Sequence, residues 1–367
     1  MEKIRILHVV TYMGRGGLEN MIMNYYRHVD RDKVQFDFLV HREFRADFDD
    51  EIESLGGRIY RLPEMKPWSP AYKIALDSFF AEHKEYKIVH SHRNSFSSIV
   101  LKSAKKNGVP MRIAHSHSSG EKEFLKHIIK RHYGKMIPKY ATELFACGKE
   151  AGEWMFRGAS FRIINNAIDS NRFSYKKDIA NNIRNLFNIP VDAFVIGHVG
   201  NFSHPKNITF LVDVFNEINR KSDNSYLLLV GDGGLRNSIE QKVEFLGLKT
   251  KVIFAGLRSD VYDMMQAMDA FVFPSLHEGL PVVMVEAQAS GLPCFISDGV
   301  PDESMITDLV TKIPLSHGAE KWADTILNNI SKERGNTKEQ IVKAGYDITE
   351  NAKWLQNYYL NKWNEEV

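Results

Sequence analysis

The chain has 367 residues, 43% of them hydrophobic, which is typical of a globular protein and indicates two domains. The two cysteines have neither metal-ligand nor redox spacing, and no signal-peptide pattern is seen at the start, which disfavours a secreted protein. No apolar run reaches the roughly 20 residues that a membrane span needs. A cytoplasmic location is therefore expected. The net charge is +2, but residues 1–168 carry 28 Lys and Arg against 20 Asp and Glu, whereas residues 169–367 carry 20 against 26. The basic half predicts an anionic ligand or surface, and no pattern predicts nucleic-acid binding.

A predicted strand at residues 4–10 is followed by the glycine-rich turn GRGGLE at 14–19 and a helix pattern at 20–29. Such a turn lets the backbone approach a phosphate or a sugar closely. A dinucleotide site is the alternative, but it needs glycine where Glu19 stands, and it needs an acid after the second strand, where the sequence has His41. The sequence therefore disfavours a dinucleotide cofactor.

The acidic string DFDD at residues 47–50 contains a D-x-D pattern, whose two carboxylates could hold a divalent metal ion. It precedes a short helix pattern and two glycines. We interpret it as the acidic first turn of an exposed helix, and we predict no metal site.

Two predicted strands end in paired histidines, KIVHSH at residues 87–92 and RIAHSH at 112–117. The carboxyl ends of parallel strands face the ligand crevice of an α/β domain. Several histidines at adjacent strand ends therefore favour a functional role over a purely structural one. The spacing leaves open whether His115 or His117 is the ligand-facing residue, and we favour His117 because it ends the strand.

Residues 121–140 combine apolar and basic side chains at helical spacing. This pattern predicts one amphipathic helix, which is either a solvated outer helix or a face that meets an anionic membrane surface. The last stretch, 348–363, predicts a helix whose aromatic stripe packs in a core.

The second half repeats the plan of strand, glycine-bearing loop and helix. A strand at 194–199 leads into the loop 200–207, where Lys206 can neutralise a diphosphate as a point charge. Further strands at 226–230 and 252–255 end in glycine turns, and Arg258 follows the second of them.

The stretch FPSLHEGLPVVMVEAQASGLP at residues 273–293 carries the strongest signal. A strand ends here, and a helix is predicted from about Pro281 to Gly291, with free N–H groups at its start that suit phosphate. Glu278 precedes this helix start, and Glu286 lies about 7.5 Å beyond Pro281 along the axis. Two acids around an anion-binding helix start indicate a phosphate flanked by hydroxyl-bearing sugars, as in a nucleotide sugar.

The string PS-x-x-EGLP-x-x-x-x-EA, with its E-x7-E spacing, resembles the motif of the retaining glycosyltransferases of family 4, in particular those that build bacterial exopolysaccharides and capsules. The string IINNAIDSNRF at 163–173 resembles the linker of that family. The resemblance implies the GT-B fold, with two doubly wound α/β domains facing each other across a cleft. The first domain would be residues 1–168 with a returning helix at about 348–367, and the second would be residues 169–347.

The resemblance also implies roles for individual residues. The second domain would bind the donor, with Glu278 holding the sugar, Glu286 the ribose and Lys206 the diphosphate, and His117 would contact the donor sugar. The family has Arg where this chain has Asn201, so Arg258 and Arg15 are candidate replacements. The full set is catalytic His117, Glu278 and Lys206; donor-binding Gly16, Gly17, Asn201, Lys206, Arg258, Glu278, Gly279, Leu280, Pro281, Val282, Val283 and Glu286; and acceptor-side Glu19, His92 and His115.

The predicted function is therefore retaining transfer of a sugar, without a metal or cofactor, from a nucleotide sugar such as a UDP-sugar to a polyprenyl-linked or oligosaccharide acceptor. The acceptor would place the enzyme at the inner membrane face. Two alternatives stay open at this point. One is a nucleotide-sugar 2-epimerase, which has a similar two-domain fold, and the other is a non-catalytic nucleotide-sugar-binding partner of another transferase.

Overall fold

The computed structural model describes residues 3–117, 124–330 and 334–366. The chain forms two compact units. One ends at Ala167 and also contains the last helix, and the other is Ile168–Asp347. The described part of each unit contains one parallel β-sheet, so the predicted α/β class with two Rossmann-like domains is confirmed.

The first unit contains a seven-stranded sheet within the described ranges, in the order β3-β2-β1-β4-β5-β6-β7. Its strands are β1 (Ile4–Val9), β2 (Val34–Val40), β3 (Ile59–Arg61), β4 (Ile88–Ser91), β5 (Met111–Ser116), β6 (Glu143–Ala146) and β7 (Arg162–Ile163). Its helices are α1 (Gly17–His28), α2 (Asp49–Ser54), α3 (Pro70–Glu82), α4 (Ser97–Lys106), α5 (Phe124–Gly134), α6 (Ile137–Tyr140), α7 (Lys149–Phe156) and the last helix, α16 (Ile348–Glu366).

The second unit contains a six-stranded sheet within the described ranges, in the order β10-β9-β8-β11-β12-β13. Its strands are β8 (Phe194–Val199), β9 (Ser225–Val230), β10 (Val252–Gly256), β11 (Ala270–Phe273), β12 (Cys294–Ser297) and β13 (Val310–Ile313). Its helices are α8 (Ser170–Phe173), α9 (Lys177–Leu186), α10 (Ile208–Lys221), α11 (Arg236–Phe245), α12 (Val261–Met264), α13 (Val282–Ala289), α14 (Gly318–Asn328) and α15 (Lys338–Lys343).

The strand order reverses direction at one point in each sheet, between β1 and β4 in the first and between β8 and β11 in the second. The loops that leave the carboxyl ends of these two strands run to opposite sides of the sheet and open a crevice, which is where α/β domains bind ligands. Each unit therefore has its own predicted ligand-binding edge.

Apolar residues cover both faces of each sheet. In β1, Ile4 and Ile6 belong to the core on the side of α1 and α16, whereas Leu7 and Val9 belong to the core on the side of α3 and α4. The last helix buries Tyr359 among other residues on the first of these sides, so the expected packing of its aromatic stripe is confirmed. His8 follows Ile4 and Ile6 at the same period of two, and its side chain therefore lies on the α16 side.

The basic segment predicted as one helix at residues 121–140 is two helices in its described part, α5 and α6. Pro138 stands in the first turn of α6, a position where proline is tolerated, whereas inside one continuous helix it would remove a hydrogen bond. Residues 118–123, with Lys122, lie outside the described residues, as do the side chains of Phe124 and Lys126. No helix in the described ranges combines the length and the apolarity that a membrane span requires.

Candidate active site

Two loops meet at the switch point of the second sheet. The loop after β11 donates the Leu276 N–H to the Pro205 carbonyl at 2.8 Å, and the Asn207 side-chain amide donates to the Pro274 carbonyl at 3.1 Å. Asn207 adopts a left-handed conformation, with φ of 53°, which asparagine tolerates better than most residues. These contacts fix the position of Lys206, the residue before Asn207.

Lys206 and Glu278 form an ion pair across these two loops. Lys206 Nζ donates to Glu278 Oε1 at 2.8 Å, and the side chains are 20% and 13% exposed. The Lys206 ammonium also lies 4.7 Å from the centre of the Phe273 ring. The structure thus brings together two residues that the sequence analysis assigned to phosphate and sugar. The pairing itself was not foreseen, since 72 positions separate the two residues.

The helix after this loop begins one residue later than expected. Pro281 is the N-cap of α13 in an extended conformation, and Val282 is the first helical residue. The Met284 N–H donates to the Pro281 carbonyl at 3.0 Å, so the expectation that it is free is wrong. The first N–H groups of a helix have no partner inside the helix, and at this start they belong to Val282 and Val283. The positive end of the α13 dipole therefore lies beside Glu278, Gly279 and Leu280, which are all half-buried.

Glu286 lies in the second turn of α13. Its side chain reaches the surface only in part, and burial of its carboxyl raises the pKa to about 7. An acid in such an environment is costly when charged, so its presence in an otherwise apolar helix needs a polar partner. A hydroxyl-bearing ligand would supply one.

Glycines allow the neighbouring loops to come close. A Cβ atom at Gly231, where φ is 134°, would lie 2.0 Å from the Gly200 carbonyl oxygen, so only glycine fits between the loops after β8 and β9. Asn201 is exposed on the first of these loops, and its Oδ1 would lie 2.9 Å from a Cβ placed at Gly233. Its exposure means that a longer side chain has room there.

The two arginines considered as replacements for the missing cation are both paired with acids. Arg258 donates to both carboxylate oxygens of Asp260, at 2.8 and 2.5 Å, which raises the pKa of Arg258 and lowers the pKa of Asp260. Arg15 Nε lies 3.7 Å from Asp47 Oδ1, and both of these side chains are more than half exposed. Lys206 is also paired, with Glu278, but it lies on the loop after β8 and so at the switch point itself.

In the first unit, α1 begins at Gly17, three residues earlier than the helix pattern indicated. Glu19 consequently stands in the first turn of the helix. It folds back over the glycine turn, since a Cβ atom at Gly16 would lie 2.3 Å from Glu19 Oε2. Burial raises the pKa of Glu19.

The D-x-D string is occupied by arginines. Asp49 is buried rather than exposed, which corrects the expected exposed helix turn. The ion pairs are Asp47 with Arg15, Asp49 with Arg61, and Asp50 with Arg45. Each of these carboxylates thus has an arginine partner in the structure.

The strand-end histidines form a cluster of five imidazoles, which we call the histidine cluster: His8 on β1, His90 and His92 at the end of β4, and His115 and His117 at the end of β5. The His8 and His92 rings are joined by a 3.0 Å contact, His92 and His117 by one of 2.9 Å, and His90 and His115 by one of 3.1 Å. The Tyr359 hydroxyl of α16 lies 2.6 Å from His90 Nδ1.

His117 is the most exposed member of this cluster, and the Asn94 side chain accepts a hydrogen bond from its backbone N–H at 2.9 Å. His92 and His115, which were predicted to lie on the acceptor side, are buried. Their rings contact those of His117 and His90, respectively. Burial lowers the pKa of His8 and of His117 to about 3, and the pKa values of the other three lie well below their usual range, so all five imidazoles are neutral at neutral pH.

Sequence reasoning missed His8 and Tyr359 as members of this cluster. A histidine inside the apolar strand IRILHVV is a signal that could have been used, since it shares its face with Ile4 and Ile6. Tyr359 lies 269 positions from His90, and no spacing rule connects them.

Two parallel-sheet units, each with a reversal of strand order, match the predicted GT-B fold. The family model "Glycosyltransferase Family 4" matches residues 15–172, and the model "Glycosyl transferases group 1" matches residues 180–348. A putative glycosyltransferase EpsF of Bacillus subtilis is 35% identical over 97% of this chain and 96% of its own length. The chain belongs to this family of glycosyltransferases.

Other relatives and solved structures agree with this assignment. The capsular polysaccharide biosynthesis glycosyltransferase CapH of Staphylococcus aureus is 25% identical over 98% of this chain and 99% of its own length. An Escherichia coli UDP-Gal:alpha-D-GlcNAc-diphosphoundecaprenol alpha-1,3-galactosyltransferase is 25% identical over 81% of this chain and 80% of its own. The crystal structure of Anabaena HepE in complex with UDP has a TM-score of 0.73 at 16% identity, over 99% of this chain and 100% of that one, and it shows the same fold.

Proposed function

We propose that this protein transfers a sugar, with retention of its anomeric configuration, from a UDP-sugar to a lipid-linked or saccharide acceptor in the synthesis of a bacterial surface polysaccharide. The observation that carries the proposal is the Lys206–Glu278 pair beside the start of α13, at the switch point of the second sheet. It places a cation, a helix N-terminus and a carboxylate at one strand edge. A relative that acts in capsule synthesis supports the role in polysaccharide synthesis. A relative named for its use of UDP-Gal and a structural neighbour in complex with UDP support the donor class.

In the proposed donor complex the diphosphate takes the place of Glu278 as the partner of Lys206. The first N–H groups of α13 then face the same phosphates, and the backbone of Gly279 to Pro281 lies against them. Glu278, released from Lys206, accepts hydrogen bonds from hydroxyls of the donor sugar. Glu286, one turn further along the helix, accepts hydrogen bonds from the ribose.

The bond that breaks joins the anomeric carbon of the sugar to the diphosphate. Lys206 and the helix start stabilise the negative charge that develops on the leaving group. The acceptor hydroxyl attacks on the face that the diphosphate leaves, and its proton passes to a departing phosphate oxygen. This front-face course gives retention without a covalent sugar–enzyme intermediate. It requires no metal or cofactor, because these residues supply the counter-charge.

The first unit offers candidate ligand-contacting residues at the ends of its own strands. We propose that His117 contacts the donor sugar, since it is half-buried whereas the other members of the histidine cluster are buried. Gly16 and Gly17 would let the backbone approach the donor, and Glu19 would face the acceptor. His92 would act by positioning His117 through their 2.9 Å contact.

A lipid-linked acceptor would bring the enzyme to a membrane surface. Helix α5 exposes Ile128 and Ile129, 50% and 41% of whose surface is accessible, and Arg131 and Lys135 are exposed on the same segment. Apolar side chains next to basic ones suit the headgroup region of an anionic bilayer. We propose this segment as a peripheral contact with the inner membrane face.

The test of the proposed function uses the purified chain, a panel of UDP-sugars and a polyprenyl-diphosphate-linked sugar as acceptor. We expect UDP release only with acceptor present, and an NMR spectrum of the product with the anomeric configuration of the donor. Conversion of the UDP-sugar without acceptor would instead indicate an epimerase. UDP-sugar binding without any turnover across the panel would indicate a non-catalytic partner subunit.

A further inference from the structure

The histidine cluster goes beyond what sugar transfer requires. The reaction proposed above uses one ring, that of His117, yet the ends of β1, β4 and β5 bring five rings together. Neighbouring centroids lie 4.0 Å apart for His115 and His117, and 4.3 Å apart for His90 and His92. Alternation along the strands explains the shared face, since the two histidines of each pair are two positions apart.

Several nitrogens of the cluster are not used by the protein. Each contact between two neutral imidazoles joins one N–H and one lone pair. His8 Nε2, His115 Nε2 and His117 Nδ1 are buried and have no hydrogen-bond partner among the residues that the structure describes. Buried polar atoms are normally paired, and an unpaired one calls for an explanation such as a bound ion.

Two sets of three rings have the spacing of a metal site. One ring nitrogen each from His8, His90 and His92 lies within 4.8 Å of the others, and the same holds for His92, His115 and His117. Neutral imidazole is the ligating form of histidine, and it suits zinc, copper, nickel and cobalt. Magnesium and calcium are disfavoured because they take oxygen ligands.

We propose that His92, His115 and His117 bind one divalent transition-metal ion, with zinc as the representative ion. This set is favoured over the deeper one because it contains two of the unpaired nitrogens, His115 Nε2 and His117 Nδ1, and because His117 is only half-buried. A catalytic or exchangeable zinc site typically has three protein ligands and one open position.

The remaining residues of the cluster form the outer shell that metal-ligating histidines usually have. His92 Nε2 contacts His8 Nδ1 at 3.0 Å, and His115 Nδ1 contacts His90 Nε2 at 3.1 Å. His90 in turn contacts the Tyr359 hydroxyl at 2.6 Å. These contacts leave His115 Nε2 without a partner among the described residues, whereas His92 Nδ1 contacts His117 Nε2 at 2.9 Å, and an ion bound to both rings would replace that contact.

Metal binding would oppose sugar transfer. An ion held by His117 occupies the ring that the proposed function assigns to the donor sugar, so zinc is expected to inhibit reversibly. This consequence rests on the proposed function, whereas the metal site itself does not. UDP affinity, which depends on the second unit, should stay unchanged when zinc is added.

The experiment titrates the chelator-treated full chain with Zn²⁺ by calorimetry and with Co²⁺ by visible absorption. We expect one ion per chain and the intense d–d bands of low-symmetry, four-coordinate cobalt. His115→Gln and His117→Gln should each abolish this signal. His8→Gln removes only an outer contact, and it should weaken binding by about 10- to 100-fold. His317→Gln, at an exposed histidine of the second unit, is the matched control and should change nothing.

Two results would overturn the proposal: a wild-type chain that binds no stoichiometric Zn²⁺, or stoichiometric binding that survives both His115→Gln and His117→Gln. A variant that no longer shows a cooperative thermal unfolding transition is excluded. The stoichiometry and the cobalt spectrum of the wild-type chain then test whether the metal site exists. If His8→Gln abolishes metal binding and His117→Gln does not, the site is the set of His8, His90 and His92, and the proposed assignment is wrong. UDP titration of the same samples reports on the donor site separately, so its failure would concern only the proposed function.

Discussion

Replacing Glu278 with Gln should separate donor binding from catalysis. In the free protein Glu278 competes with the diphosphate for Lys206, because the two side chains are paired at 2.8 Å. Glu278→Gln removes the negative charge with little change in shape. We therefore expect the variant to bind UDP as well as wild type does, or more tightly. The donor sugar loses its charged hydrogen-bond acceptor, so turnover should fall by about 100-fold or more.

The size of the binding effect follows from the environment of the pair. A hydrogen bond to a charged group contributes about 1.5–3 kcal/mol when it is shielded from water, and these side chains are only 20% and 13% exposed. Lys206→Ala loses the bond to the diphosphate and should weaken UDP binding by about 10- to 150-fold. Glu278→Gln should act in the opposite direction, by up to about tenfold, because part of that energy holds the free pair together.

The assay is calorimetric titration of each variant with UDP, combined with UDP release in the presence of donor and acceptor. Asp213→Asn is the matched control, because Asp213 accepts a 2.6 Å bond from Lys242 on the helices of the same unit. It should leave both measurements unchanged. If Glu278→Gln loses as much UDP affinity as Lys206→Ala, the proposed exchange of partners at Lys206 is wrong.

Three further predictions follow from individual residues. Because the pKa of Glu286 is raised to about 7, UDP affinity should rise about tenfold between about pH 6 and pH 8, and Glu286→Gln should remove this dependence. Ionising the buried carboxyl also destabilises the fold as the pH rises from the usual pKa of 4.5. Glu286→Gln should therefore raise the free energy of unfolding at high pH. Asn201→Arg should tighten UDP binding in calorimetry. Arg258→Ala should weaken UDP binding less than Lys206→Ala, because Arg258 follows the edge strand β10 whereas Lys206 follows β8 at the switch point. Wild-type protein should co-sediment with anionic but not with neutral liposomes, and less of it should sediment at high salt. The double variant Ile128→Ser, Arg131→Gln should no longer sediment, and its UDP affinity should be unchanged. Sedimentation that does not depend on lipid charge would count against a basic membrane contact.

The sequence was sufficient for the architecture because each element was specified locally. A strand buried on both faces is a nearly continuous apolar run, as β11 shows, and this strand is followed by a glycine-bearing loop and a helix pattern. The helix start near Pro281 was predicted to within one residue, since proline is tolerated at that end only. The prediction of one helix at residues 121–140 was wrong for a related reason. It continued the helix through Pro138, although this proline stands in the first turn of a second helix.

The pairings within each site were beyond the reach of the sequence because they join residues far apart in the chain. Lys206 and Glu278 each matched a local pattern, and only the meeting of the loops after β8 and β11 makes them partners. Their pairing changes the chemistry, because the predicted phosphate cation is neutralised until a donor displaces the carboxylate.

The contacts within the histidine cluster could not be predicted from the sequence either. Local spacing placed two histidines on one face of β4 and two on one face of β5, but the register of the sheet decides which rings touch. The register pairs His8 of β1 directly with His90 of β4, which turns two separate motifs into one buried cluster. A residue that looked like an irregularity in an apolar strand thereby becomes the support of His92, and the orientation of His117 depends on a chain of contacts that begins at β1.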